Sequence, residues 1–399
     1  MKRIFTSAML LLCVLGIAAY AGDLCSTNMM VAKFGSPPPE IKNSNAKLEI
    51  EFLNVAQGDC IFLKLPQDAD GHRTTILIDG GTTPKSPSLD AGSVGIAKSA
   101  RTELNKWFSR ENATLDYLII THPDRDHYNI VPYIVGNLDV KKVIHIGETG
   151  DPNLDEGDNR YQGLWTPMLM ADGTKKSGKH YNPTEGKKNV TMLDFLNQGR
   201  SPHHAPDVTR IEQERHDKLK PSNISLIPNS QVEFYVLAAH VPYGSGHTAS
   251  NTGSIVLLLH YGNFEIILQG DGTMLTEMAM LDHYKDNSLA VEVLKVGHHG
   301  SNGSSSDPWL KKVTPRVGII SAGEDKGYGH PKKSVCTNLV VHVATNAPSH
   351  QFSWYPDGKK TQSFIQTRAA IFNTHDSHNI LITTDGKELF WVQPGFSKN

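Results

Sequence analysis

One structural unit occurs twice in this chain, and each copy stops at acidic and imidazole side chains. The first copy runs through "DCIFLKL" and "TTILIDGG", a segment of helical period over residues 94–108, and "LDYLIITH". The second runs through "SIVLLLHYGNFEIILQGDG", a helical segment over residues 273–286, and "VEVLKVGHH". Each reads as a hairpin ending in Asp-Gly, a helix, and a strand ending at histidine. A sheet of this kind needs a helix to cover its outer face. Two such halves therefore pack sheet on sheet, giving an α/β fold: an αββα sandwich of two mixed sheets flanked by helices. In that pairing the strand-end loops meet along one edge, which puts Asp79, His122, Asp271 and His298 on a common rim.

The rest of the chain fits around this core. With 38% hydrophobic residues in 399, there is ample material for one. "MKRIF", "AMLLLCVLGIAA" and "AYA" ending at Ala21 have the order of a secretory signal peptide over residues 1–21, and the apolar run is shorter than a membrane span needs. The expectation is a secreted or periplasmic protein with no stable membrane association. Residues 22–45, marked by "GSPPPE", read as a linker, and residues 46–399 as the folded domain. Within it, residues 151–230 are rich in Gly, Asn, Pro, Lys and Asp and read as an insertion or lid, with one short helical stretch, "TMLDFLNQ". Loss of Lys2 and Arg3 with the signal would move the formal charge from −2 to −4, so no global basic bias towards nucleic acid exists. Cys25, Cys60 and Cys336 are too few and too far apart for a disulfide framework, and allow one bridge at most.

The stretch "LIITHPDRDH" carries the chemistry. Within six residues of the end of an apolar strand stand His122, Asp124, Asp126 and His127. Imidazole and carboxylate are ligands for divalent ions such as zinc, manganese and iron, and four of them on a tight loop can point to two adjacent ions. A plainer reading is a polar turn, with Asp124 or Asp126 capping "HYNIVPYIVG". Two further clusters, "QGDG" and "GHHGS", also fall at strand ends and favour the metal.

These motifs, with "LNVAQGDCIFLKLP", "ILIDGG" and "ISAGEDKGYGHP", resemble the metallo-β-lactamase superfamily over residues 48–331. Within that family the likeness is to the hydrolase domain of the competence DNA-uptake channel ComEC and its free-standing relatives. The resemblance implies two divalent metal ions, Zn or Mn. His122 and Asp124 would hold the first, Asp126, His127 and His298 the second, and Asp271 would bridge them. His299 is the alternative to His298. Asp79 and Thr121 would orient ligands. Many members place a further histidine at the position of Ser250, so here the first ion is completed by His247, by Asn251 or by water. Gln57 and Asp59 are candidates to line the pocket, although Asn54 stands where the family has Asp.

Bridged ions imply a metal-activated hydroxide rather than a Ser or Cys nucleophile, with Asp126 and Asp271 at its centre. His330, in "YGHP", would donate a proton to the leaving oxygen or grip a phosphate; the plainer reading packs it before a helix. Between residues 295 and 333, seven basic residues (Lys295, Lys311, Lys312, Arg316, Lys326, Lys332, Lys333) outnumber Asp307, Glu324 and Asp325. That excess suits an anionic phosphodiester such as DNA or nucleotides, with Lys295, His330 and Lys332 as substrate contacts and Ser301 as a further donor. His203 and His204 read as solvated. The sequence thus supports a phosphodiesterase or nuclease. A lactam, lactone or thioester hydrolase of the same fold and a binding protein with a decayed site are the alternatives. No protein partner is inferable.

Overall fold

In the computed structural model of this chain the described residues are 30–83, 91–108, 113–136, 138–146, 226–229, 231–241, 251–323, 327–359 and 361–395, with the backbone of three short strands between residues 168 and 210. The first half contains β1 (Val31–Phe34), α1 (Pro39–Lys42), β2 (Leu48–Phe52), β3 (Ile61–Gln67), β4 (Arg73–Ile78), α2 (Ala91–Asn105) and β5 (Thr114–Ile120). It continues through α3 (Arg125–Tyr128), α4 (Val131–Val135), β6 (Asp139–His145), β7 (Met168–Leu169), β8 (Lys175–Lys176) and β9 (Asp207–Arg210). The second half opens with β10 (Glu233–Ala238), β11 (Val256–Tyr261), β12 (Phe264–Leu268), α5 (Met274–His283) and β13 (Val293–Lys295). A 3-10 turn over Gly297–Gly300 leads to α6 (Asp307–Val313), β14 (Val317–Ile320), α7 (Lys333–His342), β15 (His350–Trp354) and β16 (Ser363–Thr367). The chain closes with β17 (Ile371–Asn373), α8 (Thr374–Ser377), β18 (Ile380–Thr384) and β19 (Leu389–Pro394).

The strands form a nine-stranded sheet in the order β1-β19-β18-β2-β3-β4-β5-β6-β9 and a six-stranded sheet in the order β10-β11-β12-β13-β14-β17. The repeat seen in the sequence is a repeat of topology. β3 and β4 are antiparallel and β5 joins β4 in parallel; β11 and β12 are antiparallel and β13 joins β12 in parallel. Residues on one face of each strand, among them Ile50, Leu63, Ile78, Leu257, Ile266 and Ile319, meet in a single core between the sheets. On the opposite faces, Phe62, Leu77 and Leu118 pack under Ala97, Leu104 and Val131 of the first helical layer. Leu258, Ile267 and Leu294 pack likewise under Met280, Trp309 and Leu339 of the second. Three apolar layers between four structural ones are an αββα sandwich, as the paired repeats imply. The strands read as nearly continuous apolar runs because both of their faces are covered.

One reading of the sequence needs correction, and two fall wholly or mostly outside the described residues. Residues 31–34 are not linker: they add β1 to the large sheet, parallel to β19 with Val31 opposite Leu389. Met30 and Ala32 are buried there, and the Met30 amide donates to Glu292 Oε1 at 3.1 Å. The strand is so short that "GSPPPE" masks it; Pro38 and Pro39 in fact begin α1. Residues 1–21 lie outside the described residues. So does most of the 151–230 segment, including "TMLDFLNQ", His203 and His204, although β9 extends the large sheet in parallel beside β6. Among the described residues no helix is long and apolar enough to cross a membrane. Cys60 and Cys336 are buried free thiols, so they form no bridge with each other, and burial pushes both thiols up.

Candidate metal centre

The loops after β4, β5, β12 and β13 converge as the repeats predict, and backbone fit forces them together. A Cβ added at Gly81 would lie 2.0 Å from the carbonyl carbon of Asp126, so glycine is required where the "DGG" turn presses on "HPDRDH". Asp79 takes a positive φ of 58° at that turn, and His298 and His299 take φ values of 45° and 52°. Three bulky polar residues in the left-handed region, all at one rim, mark backbone strain retained at a functional site.

Three imidazoles are set in the same way. His127 Nδ1 donates to Asp79 Oδ2 at 2.7 Å, and His299 Nδ1 donates to the Ser321 carbonyl at 2.8 Å. Thr121 Oγ1 gives its proton to Asp79 Oδ2 at 2.6 Å and therefore accepts from His122 Nδ1 at 3.2 Å. With each Nδ1 engaged, each Nε2 is presented to the centre. There, His122 Nε2, His127 Nε2, His299 Nε2 and Asp271 Oδ1 are all buried without a hydrogen-bond partner. An unpaired buried polar atom costs about 1–3 kcal/mol, and four of them aimed at one place fit a divalent cation.

Two overlapping groups face the centre, His122 with His127 and Asp271, and Asp126 with His127 and His299, each within 4.8 Å; a third, Asp59 with Asp79 and His127, lies on the Nδ1 side of His127 behind them. Asp271 reaches both central groups. Its Oδ1 is 3.2 Å from His127 Nε2, and its Oδ2 is 3.4 Å from His299 Nε2 and 3.8 Å from His122 Nε2. Asp124 Oδ2 lies 3.8 Å from His122 Nε2, on the first side. Asp124 does occupy the N-cap position of α3, but its side chain makes no capping bond. Asp126 Oδ2 lies 3.5 Å from His299 Nε2 and accepts from Thr83 Oγ1 at 3.2 Å.

His298 does not take the position given to it in the second group; the adjacent His299 does. The left-handed turn swings the two rings apart, so His298 Nε2 accepts from Asn251 Nδ2 at 3.3 Å and stands 3.8 Å from Asp271 Oδ2. Asn251 thus lies against His298, while His247 lies outside the described residues. Nothing in one-dimensional spacing separates neighbouring histidines; the left-handed turn through both of them, which sends the two rings different ways, does.

Lys295 is the second correction. It is fully buried, ion-paired with Asp59 Oδ2, and donates to the Gly270 carbonyl at 2.8 Å, so it is no substrate contact. Asp59 in turn lies 3.6 Å from His299 Nδ1 and 4.0 Å from His127 Nδ1, behind the ligands. Lys311 pairs with Asp307 at 2.7 Å and Lys312 donates to the Lys285 carbonyl at 2.9 Å. The basic excess of this stretch is therefore not one patch at the metal rim. Lys332 does stand by the site, its ammonium on the Tyr328 carbonyl at 2.7 Å. Ser301 Oγ accepts from the Gly303 amide at 3.4 Å and serves its own turn. Glu277, which sequence reading passed over, pins this loop: it is buried and accepts from the Ser305 and Ser306 amides, the latter at 2.9 Å. Its signal was faint, one acid between Thr276 and Met280 on the buried helix face.

His330 is buried at the rim, its ring centroid 5.6 Å from that of His298. Gln57 Nε2 donates to His330 Nδ1 at 3.2 Å, which places the imidazole proton on Nε2. Burial, then the charges of His298 and His299, push its pKa down to about 3, so it is a neutral hydrogen-bond donor.

The charges of the ligands are strongly displaced. Against the effect of burial, Asp271 and Asp79 hold His127 well above its ordinary value, and Asp271 with Asp126 raises His299 to about 10. Burial, then His127, keeps His122 well below. Asp126 and Asp271 resist burial and are lowered by the surrounding imidazoles, chiefly His299. At pH 7, before a cation enters, His127 and His299 are therefore protonated, and loading must expel those protons. Metal affinity is expected to rise with pH through neutrality, with release of about two protons per loaded centre. Calorimetry at pH 7 in buffers of different ionisation enthalpy measures this; a slope of zero would contradict it. Asp79→Asn is expected to keep the fold but weaken metal binding by about 10–100-fold, because His127 loses the anion that fixes its Nδ1–H. Competition with a chromogenic chelator reads that loss.

The profile described as the Metallo-beta-lactamase superfamily matches residues 53–324. ComE operon protein 3 of Bacillus subtilis (strain 168) is 25% identical over 297 residues, 74% of this chain and 31% of that protein. Recombination protein 2 of Haemophilus influenzae is 23% identical over 291 residues, 73% of this chain and 26% of that protein. The chain thus spans about a third or less of the length of these relatives. Among solved structures, metallo-β-lactamase SMB-1 bound to 2-mercaptoethanesulfonate aligns with a TM-score of 0.30 at 12% identity, covering 62% of this chain and 79% of that one. With the profile spanning more than half its length, this chain belongs to the metallo-β-lactamase superfamily.

Proposed function

We propose that this chain is an exported, dinuclear metal-dependent phosphodiesterase acting on nucleic acid or nucleotides. The observation that carries the catalytic part is the set of Nε2 atoms of His122, His127 and His299, each with its Nδ1 engaged and each aimed at Asp271. His122 and Asp124 would hold one ion and Asp126, His127 and His299 the other, with the two oxygens of Asp271 within reach of both groups. Zinc or manganese suits this mixture of imidazole and carboxylate. Such ions supply a Lewis acid and lower the pKa of water enough to generate a nucleophile near neutral pH.

The remaining work falls to the chain itself. Asp79 and the Ser321 carbonyl keep two ligand rings in the required tautomer. His330, with its proton on Nε2, donates a hydrogen bond at the rim towards a leaving oxygen or a phosphate. Lys332 offers a positive charge beside that loop, its ammonium on the Tyr328 carbonyl. The carboxylate-rich donor set and the likeness to proteins named for competence and recombination support a nucleic-acid phosphodiester over a carbonyl substrate.

Hydrolysis of bis(4-nitrophenyl) phosphate tests the reading. Turnover should be absent after chelation and return with zinc or manganese. Failure to turn over with both ions bound would move the assignment to lactam, lactone or thioester carbonyls, and failure to bind metal would leave a binding protein on a hydrolase fold. Export rests on residues 1–21 and is tested by the mass of the secreted product, which should begin at Gly22.

A further inference from the structure

We infer that Tyr328 is a stacking platform for a nucleobase, and that the substrate carries an unpaired base beside the scissile phosphodiester. This rests on the phosphodiesterase reading and names its substrate class. Tyr328 is a large aromatic residue left 59% exposed, two positions before buried His330. Its ring lies 6.1 Å from the His330 ring at an interplanar angle of 25°. His330 in turn lies 6.5 Å from His299 at 22°, so three rings of similar tilt lead from the metal ligands out to solvent.

The backbone that follows Tyr328 is well anchored. Gly329 has a φ of +69°, and a Cβ there would lie 3.2 Å from the ring of Tyr355, which is itself buried. The Lys332 amide donates to the Gly300 carbonyl at 2.9 Å and the Lys333 amide to the Tyr355 carbonyl at 2.9 Å, anchoring the chain just after His330. The Lys332 ammonium donates to the Tyr328 carbonyl at 2.7 Å and keeps further N–H groups for an anion. An aromatic face next to an ammonium and an imidazole N–H matches the parts of a nucleotide: base, phosphate and leaving oxygen. Stacking requires a base outside a duplex, so single strands, frayed ends and mononucleotide esters fit, and an intact double helix does not.

Two chromogenic phosphodiesters with the same leaving group separate the roles: the 4-nitrophenyl ester of thymidine 5′-monophosphate, which carries a base, and methyl 4-nitrophenyl phosphate, which does not. With the manganese-loaded full chain, Tyr328→Ala should raise KM for the thymidine ester, and that loss should exceed the loss on the methyl ester by about fivefold or more. Tyr328→Phe and Tyr328→Trp should restore the thymidine ester, and Tyr328→Leu should not. Equal losses on both esters, or none on either, would overturn the platform while leaving the phosphodiesterase reading intact. No turnover of either ester by the metal-loaded wild type would overturn that reading and the platform with it.

Discussion

Asp271→Ala is expected to abolish metal-dependent hydrolysis and to reduce bound metal. Its carboxylate faces four imidazoles: His127 at 3.2 Å, His299 at 3.4 Å, and His122 and His298 at 3.8 Å each. No other described acid reaches both donor groups in this way. The loss should exceed the roughly 10–100-fold typical of a residue that only orients a ligand, and so exceed that of Asp79→Asn. Asp271→Asn, which keeps the shape and removes the charge, should fall between the wild type and Asp271→Ala in metal content. Elemental analysis after dialysis, beside turnover of bis(4-nitrophenyl) phosphate, measures both. Full metal content and full turnover in Asp271→Ala would remove the bridging role.

Asp271 was legible before any coordinates, and the reason is periodicity. The Asp-Gly ends of β4 and β12 stand at equivalent places in two copies of one topology, so convergence follows from packing alone. His122 shared that equivalence, whereas Asp126 and His127 were legible from the crowding of imidazole and carboxylate in "LIITHPDRDH". What the sequence obscured depends on local angles or on burial. The exchange of His299 for His298 hangs on two left-handed backbone positions, which spacing does not encode. Lys295 looked like part of a basic surface because a count of charges carries no depth. The strand at residues 31–34 was hidden by its length and by the prolines after it. In each case the pattern located the element and the third dimension assigned its role.

Lys295→Met is the second large effect, and it distinguishes the two roles this residue has been given. A lysine that touched substrate would, when replaced, raise KM and leave stability alone. The buried ammonium instead compensates Asp59, which is itself 1% exposed and whose Oδ1 already lacks a hydrogen-bond partner. Removing one member of a buried ion pair strands the other, at a cost of about 3–5 kcal/mol. Lys295→Met should therefore lower the urea midpoint strongly even with metal absent. Asp59→Asn in the same chain should recover much of the loss, since no net buried charge then remains. The Lys295 ammonium also holds the Gly270 carbonyl, one residue before Asp271, at 2.8 Å. Whatever stability the double variant regains, it should bind metal less tightly than the wild type, because that carbonyl has lost its donor. An unchanged urea midpoint in Lys295→Met, with KM raised, would return Lys295 to the substrate surface.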